Sequence, residues 1–515
     1  MTISVHTAFA AALAVLLSSM VPAQAQITVG GTTYQVQGLV GVGRMDAGLR
    51  DSFGETFGSI SGMWADAASW SRSGGTYTGN FLATPDRGYN VAGTIDYAPR
   101  LNSIAVSFTP AALGASGLAQ NQIGLTLSSS TRLFENVAGG GTRLFSGLDP
   151  VPGGVATGGA RAATATLPEL PQAFNGKLSL DAEGVVVLSD GSRLVSDEYG
   201  PSIYRFNAAG GFMGALPVAA SVRPIRNGVT DYSSNNPGAG QPPPSPLSPS
   251  NGRANNQGFE GLSLSPDGRT LFVGLQSAAR QDGAATGAAF RDHTRVFTYD
   301  VSNLSDMRLT GEYVVKLPKF TSGTTTLVAA QSELHALSDT QLLILPRDGN
   351  GLGVGTQTSL LRRVDIIDIA VATNILGQAY EGQIAPGGVL NPAITPAVYR
   401  EFLDINNNAE LGRFGLVNGV VAGKDNLSEK WEGLTLLPAL DPSAPNDYFL
   451  FVANDNDFIT RSGFQAGAAY DGGFNNDTMF MAWRVTIAPV PEPASALLLL
   501  LGSATLLLMR RSRSR

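Results

Sequence analysis

Three glutamates in this sequence share one local context: Glu183-Gly184, Glu260-Gly261 and Glu432-Gly433 each precede an aliphatic run. Polar clusters recur beside them: Asp86-Arg87-Gly88, Asp197-Glu198-Tyr199-Gly200, Arg347-Asp348-Gly349 and Asn454-Asp455-Asn456-Asp457. Carboxylates hold hard cations and move protons, and the planar guanidinium of arginine fits phosphate or carboxylate. Together they suit metal-assisted hydrolysis of a phosphate ester. Glu183, Glu260 and Glu432 are then the candidate catalytic acids and bases, and Arg87 and Arg347 the substrate-binding groups. Asp86, Asp197, Glu198, Asp348, Asp455 and Asp457 are the candidate metal ligands. Converging carboxylates repel one another unless a cation lies between them, and Ca²⁺ fits an all-oxygen set. Each residue also has a plainer reading. Asp and Asn after a strand form turns, a buried glutamate can accept backbone amides, and adjacent Asp and Arg can pair locally.

Other chemistries are excluded by what is missing. The chain has no cysteine, so disulfides, thiolate metal sites and cysteine nucleophiles are ruled out. Beyond the N-terminal segment only His293 and His335 remain, too few for a three-histidine zinc site. There is no Gly-x-Ser-x-Gly elbow, no His-Gly dipeptide and no phosphate-binding loop of the Walker type. The net charge is −7, and the longest basic run in the body is Arg362-Arg363, so nucleic acid is not the expected partner.

The elements that must position these groups are strands. Charged residues make up only 15% of the 515 positions, while 62 glycines mark many tight turns. Short aliphatic runs recur between Gly, Asp, Asn and Pro, as in Leu178 to Asp190 followed by Ser192 to Phe206. Asp190-Gly191 and Ser265-Pro266-Asp267-Gly268 supply hairpin turns. Ser332 to Pro346 and Trp431 to Asn454 repeat the pattern. Repeated hairpins with a polar cluster at one strand end predict an all-β chain forming a single β-propeller of six or seven blades. The Pro-rich stretch from Asn235 to Asn256 and the Gly-rich stretch from Val151 to Ala165 are expected to be loops.

The two ends carry addresses. An apolar run from Ala8 to Val21 precedes Ala23-Gln24-Ala25, which predicts a secretory signal over residues 1–25 and a mature start at Gln26. The working domain is then 26–488. Over 489–515, Pro491-Glu492-Pro493 leads into an uncharged run, Ala494 to Met509, and then Arg510, Arg511, Arg513 and Arg515. Sixteen helical residues at about 1.5 Å each fall short of a ~30 Å hydrocarbon core, which suits transient insertion into the inner membrane. This order resembles the PEP C-terminal sorting signal of Gram-negative bacteria. The resemblance implies an exosortase-type processing enzyme as partner, removal of the tail, and a cell-surface or extracellular destination. A retained single-span anchor is the alternative.

The body also resembles a known family. Gly58-Ser59-Ile60-Ser61-Gly62 with Asp86-Arg87-Gly88, then Val195 to Pro201, are similar to the phytase-like family, described as having the esterase-like activity of phytase. Gly258-Phe259-Glu260-Gly261-Leu262, Leu343 to Asp348, and Trp431-Glu432-Gly433-Leu434 with Asn454 to Asp457 continue the match in order. The resemblance implies phosphomonoester hydrolysis with calcium. The rival expectation is a non-catalytic surface propeller that binds a glycan or a protein partner in a biofilm matrix.

Overall fold

The computed structural model describes residues 26–490 apart from 284–287, 355–356 and 421–422. The signal segment and the apolar run from Ala494 to Met509 lie outside the described residues. Among the described residues no helix is long and apolar enough to cross a membrane.

The hairpins form where the turn chemistry puts them. Asp190 Oδ1 accepts from the Ser192 amide at 2.9 Å and its hydroxyl at 2.6 Å, beside Gly191 at φ 79°. Ser265 donates to Asp267 at 2.6 Å, and Gly268 takes the positive φ that the turn needs. From such hairpins come five antiparallel sheets of four or five strands, the blades. The innermost strands are Gly62–Ala65, Ala182–Val187, Phe259–Leu264, Ala330–Ala336 and Lys430–Pro438, one for each of blades one to five. They pack side by side in a closed ring, the last against the first.

The core has the same circular order. Leu82 and Leu101 of blade one pack on Val195 and Tyr204 of blade two. Leu194 and Ile203 meet Val273 and Phe297, and Phe272 and Val296 meet Leu342 and Ile367. Leu343 and Ile366 meet Leu434 and Met481, and Phe451 and Phe480 close the circle on Phe81 and Ile104. Alternating strand residues thus serve two interfaces, one on each face of every blade. The ends of the domain lock together: Thr32–Met45 pairs with Thr478–Pro489 inside blade five, from Thr32 opposite Pro489 to Met45 opposite Thr478.

The all-β propeller is present, but it has five blades and not six or seven. The extra length lies in insertions between strands. Small hairpins such as Phe134–Asn136 with Thr142–Leu144, and Lys319–Ser322 with Thr325–Val328, are too short to bury two faces as a blade must. Hairpin spacing in sequence counts these pieces as if they were blades.

Candidate active site

The glutamate motif is a strand irregularity. The pairing register shifts between Ala182 and Val185, between Phe259 and Leu262, and between Trp431 and Gly433. Each shift contains the glutamate, so a bulge turns its side chain toward the axis. The glycine that follows answers to crowding. A Cβ on Gly184 would lie 2.5 Å from the Leu262 Cβ, and one on Gly261 2.6 Å from the Leu334 amide. Blade one reads Ser61-Gly62 at this place, and blade four reads Ser332-Glu333.

Around the axis, at one end of the ring, the carboxylates fall into groups. The oxygens of Asp181, Glu183 and Glu198 lie within 4.8 Å of one another, and so do those of Asp86, Asp455 and Asp457. Five of the six are buried, and Asp457 is partly so. Arg87 donates to Asp181 Oδ2 at 2.7 Å. In the second group Lys430 Nζ lies 2.7 Å from Asp457 and 3.3 Å from Asp86. Glu260 accepts from Gln276, and Glu432 is paired with Arg347, whose Nε donates to Ser332 at 2.8 Å. Asp86, Asp181, Glu183, Glu198, Glu260, Glu432, Asp455 and Asp457 outnumber the cations Arg87, Arg347 and Lys430.

The electrostatics follow from burial. Loss of hydration, with the Asp181 charge added, pushes Asp86 up to about 7. Burial raises Asp181 to about 8 against the pull of Arg87, and Glu432 to about 7 against Arg347 and Lys430. Burial drives Glu183 and Glu260 well above the carboxylate range, and the glutamates around the axis add to it. Asp457 alone is held down: burial works against it, but the Lys430 ammonium prevails.

Several oxygens remain without a hydrogen-bond partner among the described residues: Asp86 Oδ1, Glu198 Oε1, Glu260 Oε2 and Glu432 Oε2. Each residue is 2–4% exposed. Buried polar atoms without partners are uncommon, and here Glu260 is close enough to Glu198 and Glu432 to feel their charges. This set fits a hard divalent cation, which takes oxygen ligands and supplies the missing positive charge. Asp181, Glu183 and Glu198 offer it the more open place, because Lys430 already fills the other group.

The other sequence candidates sit apart from these groups. Asp197 Oδ2 accepts from the Gly200 amide at 2.7 Å, and its Oδ1 from the Asp181 and Tyr199 amides at 3.1 Å. Asp348 accepts from Ser359 at 2.8 Å and the Leu360 amide at 2.6 Å. Both organise loops beside the axis, and neither joins a carboxylate group. Asp181 and Lys430 were missed by the sequence reading. A signal was there, since each stands two residues before a motif glutamate. Glu333 was missed because it replaces the glycine. Its Oε1 accepts the Leu262 and Leu334 amides, both at 2.9 Å, and binds blades three and four together at the axis.

The family model described as "Esterase-like activity of phytase" matches residues 55–458. The chain belongs to the phytase-like family. The matched span begins before blade one and ends at the Asp455–Asp457 cluster, so it contains every group named above. A relative from Arthroderma benhamiae, described as an uncharacterized secreted protein, is 36% identical over 478 residues, 86% of this chain and 91% of that one. Among solved structures, the luciferin-regenerating enzyme aligns over 86% of this chain and 94% of its own at 9% identity, with a TM-score of 0.28. The Malassezia sympodialis allergen Mala s 1 aligns over 89% and 92% at 10% identity, with a TM-score of 0.29. Overlaps this low carry no weight for the chemistry of this phytase-like chain.

Proposed function

We propose that this protein is an exported hydrolase of phosphate monoesters, with Ca²⁺ held at the axial carboxylates. One observation carries the reading: buried carboxylates converge at one end of the axis with unpartnered oxygens and too few cations to balance them. Membership of the phytase-like family and a relative described as secreted support the reaction class and the export.

Asp181, Glu183 and Glu198 would hold the ion. Bound there, Ca²⁺ would offset the acidic charge and polarise the phosphoryl group. Arg87, beside Asp181, and Arg347, beside Glu432, can donate N–H bonds to phosphate oxygens. Glu432 uses one oxygen for Arg347 and leaves Oε2 free, so it can take a proton from the attacking water. Glu260 is held protonated by burial, and its free Oε2 can give that proton to the departing alkoxide. The water adds its oxygen to phosphorus, the ester oxygen leaves as the alcohol, and the products are alcohol and inorganic phosphate.

The deciding experiment is phosphate release from a panel of monoesters, with Ca²⁺ and with chelator, beside melting curves under both conditions. Ca²⁺-dependent release is expected. No release together with no Ca²⁺-dependent melting shift would end the hydrolase reading and leave the glycan- or protein-binding surface propeller.

A further inference from the structure

On the same face as the carboxylates, between blades three and four, lies a cavity of about 240 Å³. Its walls differ sharply in chemistry. Arg347, Arg291, Ser277 and Gln257, with the acidic Asp348, present polar groups. The hairpin Lys319–Ser322 with Thr325–Val328, where Phe320 pairs directly opposite Leu327, lines it too. Phe320 and Leu327 are half-buried and line the cavity, while the intervening Thr321 and Thr326 are exposed. The hairpin thus turns Phe320 and Leu327 to the cavity and Thr321 and Thr326 to water. Its base is held by Lys319 on Asp292 at 2.9 Å and by the Ala329 amide on the Pro318 carbonyl at 3.0 Å.

Arg347 joins this cavity to the axis. Arg347, whose guanidinium pairs with Glu432, also lines the cavity, and its Nη1 makes only a long 3.4 Å contact with the Asp348 carbonyl. Among the described residues Arg291 Nε has no partner. A phosphate held at Arg347 therefore has an apolar-walled space on its far side.

We infer that this cavity receives the organic group of the substrate and selects phosphate monoesters of a compact aromatic or branched apolar alcohol over polyphosphorylated polyols. The inference rests on the phosphomonoester reading above. An apolar cavity of about 150 Å³ is enough for a benzene ring, so this one accommodates a substituted ring. Further phosphates on a polyol would face Phe320 and Leu327, where a desolvated charge is costly, and the acidic axis beyond. A planar ring also stacks well on a guanidinium.

The test compares two non-hydrolysable ligands of one headgroup, phenylphosphonate and methylphosphonate, titrated calorimetrically into Ca²⁺-loaded protein. Phenylphosphonate is expected to bind at least ~10-fold tighter, as burial of a ring's apolar area implies. The double variant Phe320→Ala, Leu327→Ala should bring that ratio close to one and leave methylphosphonate affinity unchanged. Thr321→Ala with Thr326→Ala, on the outer face of the same hairpin, should keep the full ratio and reports on hairpin integrity. Equal binding of both ligands to wild type overturns the inference while phosphate release continues, and so does an undiminished ratio in the Phe320/Leu327 variant. Failure of both ligands to bind, with no phosphate release from any monoester, removes the phosphomonoester reading and this inference together.

Discussion

Lys430 Nζ stands 2.7 Å from Asp457 Oδ1, an ammonium placed among the carboxylates of Asp86, Asp455 and Asp457. The protein thus supplies its own cation to one carboxylate group, while among the described residues Arg87, on Asp181, is the cation in direct contact with the other, Asp181, Glu183 and Glu198. Lys430→Met should expose the difference. In chelator the variant should lose about 1 to 3 kcal/mol in denaturant unfolding, between the worth of an exposed pair and that of a buried one, since both side chains are partly exposed. In Ca²⁺ it should bind one more ion per chain than wild type by calorimetry. Unchanged stability in chelator would show that the ammonium is not needed there.

The raised carboxyls set a pH dependence with a definite sign. Asp86, Asp181 and Glu432 have folded values near 7 to 8, above the ~4 of an unfolded chain. Between those limits the folded state binds more protons, so stability in chelator should rise as pH falls through about 8 toward 6. Ca²⁺ at Asp181, Glu183 and Glu198 competes with the protons on those three carboxyls, each raised by burial. The Ca²⁺-induced melting shift should therefore be larger at about pH 8 than at about pH 6. A shift that grows on acidification would contradict the carboxylate site.

Three substitutions separate holding the ion from acting on substrate. Glu198→Gln should shrink the Ca²⁺ melting shift, because Glu198 belongs to the open carboxylate group. Glu260→Gln should keep the shift and lower turnover by about 10²- to 10⁴-fold, the usual worth of a general acid. Arg87→Ala should keep most of the shift and raise KM, since the lost donor would contact phosphate. Loss of the Ca²⁺ shift in Glu260→Gln alone would move the ion toward blade three.

Glu333 makes a structural prediction independent of catalysis. Its carboxylate serves the amides of Leu262 and Leu334, so Glu333→Ala leaves buried donors without acceptors, at about 1–3 kcal/mol each. Denaturant unfolding should show a loss of about 3 kcal/mol. Glu183→Gln, in chelator, should be close to neutral, because burial and the neighbouring acids already keep that carboxyl protonated and the amide replaces it without a change of charge. The reverse order would mean that Glu183 and not Glu333 ties the blades together.

The ends can be read by intact mass on protein from its native host. The expected mature chain starts at Gln26 and lacks Ala494 to Arg515. A mass retaining the apolar run would favour the permanent anchor.

Much of this molecule was legible in order along the chain. Glu-Gly before an aliphatic run marked the inner strands of blades two, three and five, because a bulged strand pressed against its neighbour needs a glycine next to the inward side chain. Asp-Gly and Ser-Pro-Asp-Gly marked the turns, because their side chains and positive φ make those turns locally. Such features depend on residues within a few positions of each other, and a sequence displays them directly. Blade number does not depend on local spacing. It follows from which strands pair across long separations, as Thr32–Met45 does with Thr478–Pro489, and from which hairpins are too small to stack. The site was divided in the same way. The sequence alone identified most of its carboxylates, but it could not place Lys430 among Asp86, Asp455 and Asp457, or Arg347 against Glu432. Those pairings join blades remote in sequence, and only ring closure, driven by burial of the apolar faces between blades, brings their charges within reach.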